Sequence, residues 1–232
     1  MRLTRATIWI AGAILASTWA CAQDQGELRL HLVSSLAGKP RAVPAVLWLE
    51  PQPGTAAVPL LPSGHYRLLQ KNRTFIPHLQ VIPVGAVVEF PNADPFFHNV
   101  FSLYEGKRFD LGLYEAGSSK STTFAREGVS YIFCNIHPEM SAVVLSLSTR
   151  LYAIADEHNG FDLRGIPPGD YKLHLWIESV PQAFLRGLVR NVHVPARTTD
   201  LGGISAPIPR AGTAMHANMF GDAYDKEAPG TY

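Results

Sequence analysis

Apolar and polar positions alternate over short runs along most of this chain, and no stretch sustains the period of an amphipathic helix. Residues 28–33 read Leu-Arg-Leu-His-Leu-Val, a two-residue period that predicts a strand with one face in a core. Residues 45–49 are apolar throughout, and residues 51–64 then carry the Pro and Gly of a connector. Strand character returns at 66–69, 79–82 and 86–90, with Pro83-Val84-Gly85 as the turn between the last two. Residues 122–124, 130–133 and 142–147 complete a set sized for a Greek-key sandwich. A second group follows at 151–155, 161–163, 171–177 and 188–194, punctuated by Asp156-Glu157-His158-Asn159-Gly160 and by Pro167-Pro168-Gly169. The predicted fold class is all-β, without solenoid repeats or heptads.

The two ends differ from this body. Residues 1–22 place Arg2 and Arg5 ahead of a mostly apolar run over 8–19 and close on Ala20-Cys21-Ala22, the grammar of an export signal. That run is short for a bilayer span, and no long apolar run follows it, so no stable membrane insertion is expected. Lipoprotein anchoring at Cys21 competes with simple cleavage, although Thr18-Trp19 is poor company for a lipidated cysteine. Residues 205–232 are rich in Gly, Ala and Pro without periodicity and predict a disordered tail. The mature chain is then expected in the periplasm, starting near Gln23.

Charge narrows the partners. With 20 Lys and Arg against 19 Asp and Glu the chain is nearly neutral, and it shows no basic stripe, which argues against nucleic acid.

Cysteine changes the picture most. Beyond residue 22, Cys134 is the only cysteine, so no intramolecular disulfide is available in a compartment that favours them. A buried, inert thiol is the bland reading. Its neighbours argue for metal ligation instead, because Phe133-Cys134-Asn135-Ile136-His137-Pro138-Glu139-Met140 spaces a thiolate, an imidazole and a thioether three residues apart. His98, read at the end of an apolar strand-like run, offers a second imidazole. His98, Cys134, His137 and Met140 together make up the ligand list of a blue-copper electron-transfer centre. Zinc is the rival metal, but a thioether favours copper. Cys134 is flanked by Phe133 and Asn135 rather than by histidines, and a dinuclear centre needs a second cysteine, so no enzyme is predicted.

Other groups rank lower. His78 reads as a surface or hydrogen-bonded histidine rather than a fifth ligand, and Met215, His216 and Met219 as incidental tail residues able to meet cuprous ion. Asp94 and Asp110 have no evident catalytic partner, and Asp110 reads as a loop residue. Asn72-Arg73-Thr74 is a formal glycosylation sequon without weight in a bacterial export product. Phe96, Phe97, Ile136 and Pro138 can surround the outer edge of His137 with apolar surface for transient docking, core packing being the alternative for each.

Residues 64–148 resemble the cupredoxins. The likeness is carried by Phe75-Ile76-Pro77, Val84-Gly85-Ala86-Val87-Val88-Glu89-Phe90-Pro91-Asn92, His98-Asn99-Val100, Phe124, Gly128-Val129-Ser130-Tyr131 and the 134–140 loop, whose short steps look most like amicyanin. The resemblance implies one type 1 copper, transient redox protein partners and a hydrogen bond from Asn99 near the thiolate. Gly38-Lys39-Pro40 with Pro44-Ala45-Val46-Leu47-Trp48-Leu49, and then the run 159–173 around Gly165-Ile166-Pro167-Pro168-Gly169-Asp170-Tyr171, make the flanks, 27–52 and 149–204, resemble the two halves of a carboxypeptidase-regulatory-like, transthyretin-type β-sandwich, into which the copper domain is then inserted. A whole chain of this shape resembles the bacterial methylamine-utilization proteins, a label that does not itself establish amine oxidation. The function implied is a periplasmic one-electron carrier. A copper chaperone without electron transfer, or a structural β protein with a vestigial site, are the alternatives; oligomeric state is left open.

Overall fold

The computed structural model describes residues 25–36, 42–56, 58–60, 64–103 and 106–208. The export signal with Cys21, the Gly38-Lys39-Pro40 segment, and the tail from residue 209 with Met215, His216 and Met219 lie outside the described residues.

Two strands open the described chain, β1 (Gly26–Ser34) and β2 (Ala45–Pro51). Ten follow: β3 (Tyr66–Arg67), β4 (Leu69–Gln70), β5 (Phe75–Ile76), β6 (Leu79–Pro83), β7 (Val87–Pro91), β8 (His98–Ser102), β9 (Phe109–Tyr114), β10 (Ser119–Thr123), β11 (Gly128–Phe133) and β12 (Ser141–Leu147). Then come β13 (Tyr152–Ile154), β14 (Gly160–Ile166), β15 (Gly169–Ile177), a short helix α1 (Gln182–Gly187), β16 (Arg190–Val194) and β17 (Thr198–Ala206). The fold is all-β. The first two strands and the last five share two sheets, ordered β14-β1-β17 and β13-β2-β15-β16. The intervening strands form a five-stranded sheet, β6-β12-β11-β8-β9, a three-stranded sheet, β10-β7-β3, and a β4-β5 pair.

Alternation decides which face of each strand is covered. In β1, Leu28, Leu30 and Leu32 are buried while Arg29 and His31 point to solvent. They pack with Leu47, Leu49, Phe161, Tyr171 and Leu173 in a first core. A second core gathers Phe75, Val88, Phe90, Phe124, Ile132, Cys134, Met140 and Val144. Residues 142–147 of β12 are buried on both sides: Ala142 and Val144 belong to the second core, Val143, Leu145 and Leu147 to the first. β12 is therefore a wall shared by both. Trp176 on β15 closes the contact, its indole N–H donating to Tyr131 Oη of β11 at 3.4 Å. Each fully buried aliphatic or aromatic side chain contributes about 1.5–3 kcal/mol of hydrophobic free energy, so the β12 face is a strong junction.

Three local features differ from the sequence reading. β17 occupies residues to which the sequence assigned no strand, its end at Ser205 and Ala206 falling in the stretch expected to be a disordered tail, and it runs parallel to β1, with a register shift between Arg29 and His31 where Gly202 takes φ 68°; the Asp200, Gly202 and Gly203 residues break the alternating signal. α1 has six residues, too few to show a helical period, and is anchored by buried Leu185. His98 begins β8 instead of ending a strand, residues 93–97 forming a loop ahead of it.

Candidate metal centre

β11 ends at Phe133 and β12 begins at Ser141, so residues 134–140 form the loop between two antiparallel neighbours in the register Phe133 to Ser141. Two backbone bonds close this loop on itself: the Met140 N–H donates to the His137 carbonyl at 3.0 Å, and the Cys134 N–H to the Met140 carbonyl at 3.3 Å. Cys134 and Met140 are fully buried in the second core, and His137 is half-buried. Strand β8 lies in the same sheet, paired with β11 and with β9, and all five of its residues are buried. His98 at its start thus reaches the loop from the opposite side.

The three side chains converge. His98 Nδ1 lies 3.8 Å from Cys134 Sγ and 3.1 Å from His137 Nδ1, and His137 Nδ1 lies 3.6 Å from the same sulfur. The circle through atoms so placed has a radius of about 2.0 Å, the length of a bond from a first-row metal to an imidazole nitrogen. Among the described residues, His98, Cys134 and His137 form a group whose ligand atoms all fall within 4.8 Å of one another. A thiolate and two imidazoles, with the buried Met140 on the same loop as Cys134 and His137, are a donor set that fits copper.

The surroundings prepare each donor. His98 Nε2 lies 2.8 Å from Asp94 Oδ2. Asp94 in turn accepts from the Asn72 N–H at 2.6 Å and the Arg73 N–H at 3.0 Å. Burial works to raise its carboxyl, but the Arg73 N–H, the His98 ring and the Asn72 N–H outweigh it and hold Asp94 below the usual range. An ionised Asp94 only accepts, so Nε2 of His98 carries a hydrogen, and in the neutral ring that ligation needs it is Nδ1 that offers its lone pair to the cluster. For His137, burial and then the neighbouring His98 lower its basicity, favouring the neutral ring that ligation needs. Burial pushes the Cys134 thiol up, opposed by N–H groups of Asn99, Ile136 and His137; a bound cation would reverse the balance.

Asn99 donates near the thiolate, as expected, through its backbone, while its side chain grips the loop. Its amide NH₂ donates to Asp110 Oδ1 at 2.7 Å and its Oδ1 accepts from the Asn135 N–H at 3.3 Å, while its backbone N–H is the group that favours the thiolate. Phe96 packs near both imidazoles, its ring centroid 5.2 Å from that of His98 and 5.5 Å from that of His137. Phe97 is 51% exposed, and Ile136 and Pro138 are half-buried around His137.

His78 stands outside the cluster, bonded to Glu178 and to the Ser141 carbonyl. Asp94 and Asp110, without evident partners in sequence, prove to be the supports of His98 and Asn99. A carboxylate four residues before a candidate ligand histidine was the available signal for Asp94. Nothing local marks Asp110 or Glu178.

No family model and no curated protein matches this chain. Among solved structures it is similar to a purple cupredoxin from Nitrosopumilus maritimus, at 24% identity and TM-score 0.32 over 35% of this chain and 99% of that one. A copper-containing nitrite reductase from Thermus scotoductus gives 24% identity and TM-score 0.36, over 42% of this chain and 26% of that one. An oxidised mutant of amicyanin gives 20% identity and TM-score 0.34, over 36% of this chain and 83% of that one.

Proposed function

We propose that this chain is an exported one-electron carrier with a single type 1 copper, which His98, Cys134 and His137 would hold as strong ligands and Met140 as a weaker one. In this reading residues 64–148 are the copper domain, inserted into a sandwich formed by 27–52 and 149–204. The observation that carries it is the triangle of two Nδ1 atoms and one Sγ, in a site where Cys134 and His98 have no exposure. Copper bound there supplies a one-electron couple.

The protein's own part is to keep the donors still. His98 is locked in tautomer and direction by Asp94, and the Cys134 segment is held by Asn99 through Asn135. Residues that move little between oxidation states suit electron transfer. Burial of Cys134, Met140 and His98 excludes water, which leaves the half-buried His137 as the route to the surface. Phe96, which packs against His137, and the exposed Phe97 next to it in sequence suit a small, transient redox partner contact. The same enclosure favours retention of the ion over handover, and so a carrier over a chaperone.

Copper-loaded, oxidised protein is expected to show an intense visible thiolate-to-copper absorption that Cys134→Ser abolishes. Colourless protein after stoichiometric loading removes the reading. Rapid reduction and reoxidation by small donors with copper retained distinguishes a carrier from a buffer.

A further inference from the structure

His78 sits where the five-stranded sheet meets the β2–β15 sheet. Its Nε2 lies 2.5 Å from Glu178 Oε1 and its Nδ1 lies 3.1 Å from the carbonyl oxygen of Ser141. Both partners are acceptors, since a carboxylate and a carbonyl have no hydrogen to donate. A neutral imidazole has one N–H, and one of these contacts would then set a lone pair against an acceptor. Only the imidazolium donates to both.

The two acceptors belong to different parts of the fold. Ser141 directly follows Met140 and is paired across the ladder with Phe133, which directly precedes Cys134; this pair is the neck of the 134–140 loop. The His78 carbonyl also accepts from the Val143 N–H at 2.7 Å, so ring and backbone together hold the start of β12. Glu178 follows β15, and its N–H donates to the Pro44 carbonyl at 2.9 Å. The Val180 N–H closes the adjoining turn on the Ile177 carbonyl at 3.2 Å. Glu178 is thus anchored to the sheet of β2 and β15.

We propose that His78 is a positioning residue for the metal site: as an imidazolium shared by Glu178 and Ser141, it ties the Met140 end of the ligand loop to the sheet carrying β2 and β15. This rests on the reading of His98, Cys134, His137 and Met140 as ligands. Glu178 is the charged group facing His78, and Tyr131 the other titratable residue lining the same cavity; Phe133, Val143, Val180 and Pro181 bring no charge. The Glu178 hydrogen bond, against burial, holds the His78 basicity above its ordinary value. When the proton leaves, the single remaining N–H goes to the carboxylate, the stronger acceptor, and the Ser141 carbonyl is released. The neck of the loop then loosens.

The test uses the full chain, metal-free and copper-loaded, with ¹³C-methyl-methionine and histidine-ring NMR from pH 5 to 9. In metal-free protein the Met140 methyl resonance is expected to contain a step that coincides with His78 deprotonation, its midpoint above about 6.5. Glu178→Gln should shift both midpoints downward together, and His78→Gln should delete the step while circular dichroism shows an intact fold. In copper-loaded protein the same step should appear in the reduction potential and vanish in His78→Gln. Identical pH profiles of the Met140 resonance in wild type and both variants would overturn the proposal. A colourless copper-loaded protein in which the Met140 signal still follows His78 removes the electron-carrier reading and upholds the positioning role.

Discussion

The carboxylate of Asp94 lies 2.8 Å from the outer nitrogen of His98, and both side chains are buried. A pair so placed fixes which imidazole nitrogen is bare, and it fixes the direction in which that nitrogen points. Preparation of the candidate site therefore extends one residue beyond its donors, into the loop ahead of β8.

Asp94→Asn is expected to weaken copper binding by about 10–100-fold, the usual cost of losing a ligand's outer partner. Competition with a chelator of known affinity measures it. Unchanged affinity would mean that Asp94 is not a support of the site. The pH dependence has a defined sign. The folded carboxyl is held below its unfolded value, so its stabilisation is complete above about pH 4 and is lost as pH falls through the folded value. The stability gap between wild type and Asp94→Asn in metal-free protein should close on acidification, as followed by chemical denaturation.

Asn99 joins Asp110 to the backbone of Asn135, one residue beyond Cys134. Asn99→Ala leaves the half-buried Asn135 N–H without this acceptor and the exposed Asp110 without this donor, a loss of about 0.5–1.5 kcal/mol per hydrogen bond. Faster hydrogen exchange at Asn135 and a displaced thiolate absorption in copper-loaded protein are the expected signs. Asp110→Asn, which keeps an oxygen acceptor, should show a smaller effect on both.

The strands and the donors were legible in sequence for different reasons. Leu28, Leu30 and Leu32 announce a half-buried strand because period two is written in three residues. Cys134, His137 and Met140 announce a metal loop because soft donors cluster rarely by accident. Contacts that depend on tertiary approach leave no such trace: Asp110 meets Asn99 across the β8–β9 pair, and Glu178 meets His78 from 100 residues away. β17 was hidden because a parallel edge strand with a glycine bulge lacks the alternation that revealed β1.

The His78–Glu178 pair links metal-free stability to pH in the sense opposite to Asp94. Its folded basicity is raised, so its stabilisation is complete below about pH 6.5 and is lost as pH rises through the folded value. Both side chains are partly exposed, at 41% and 27%, and solvent screens them; a contribution of about 0.5 kcal/mol is the scale to expect. Denaturation of wild type and Glu178→Gln at matched pH should show a gap present at pH 5.5 and diminished at pH 8.5. A gap that widens with pH would contradict the imidazolium assignment.

Strand β12 makes the strongest demand on the rest of the chain, because its Val144 serves one core while Leu145 serves the other. If the two cores were independent, Leu145→Ala would lower the stability of the β1, β2 and β13–β17 sheets alone, and unfolding would separate into two transitions. A shared wall cannot lose order on one side and keep it on the other. Leu145→Ala is therefore expected to cost about 2–5 kcal/mol and Val144→Ala somewhat less, each within a single cooperative transition. Calorimetry together with probes from each side, Trp176 fluorescence for the first core and Met140 methyl resonances for the second, decides it. Coincident midpoints that move together in both variants are the expected result. Separate midpoints, with Leu145→Ala moving only the tryptophan signal, would show that β12 belongs to one core and merely touches the other.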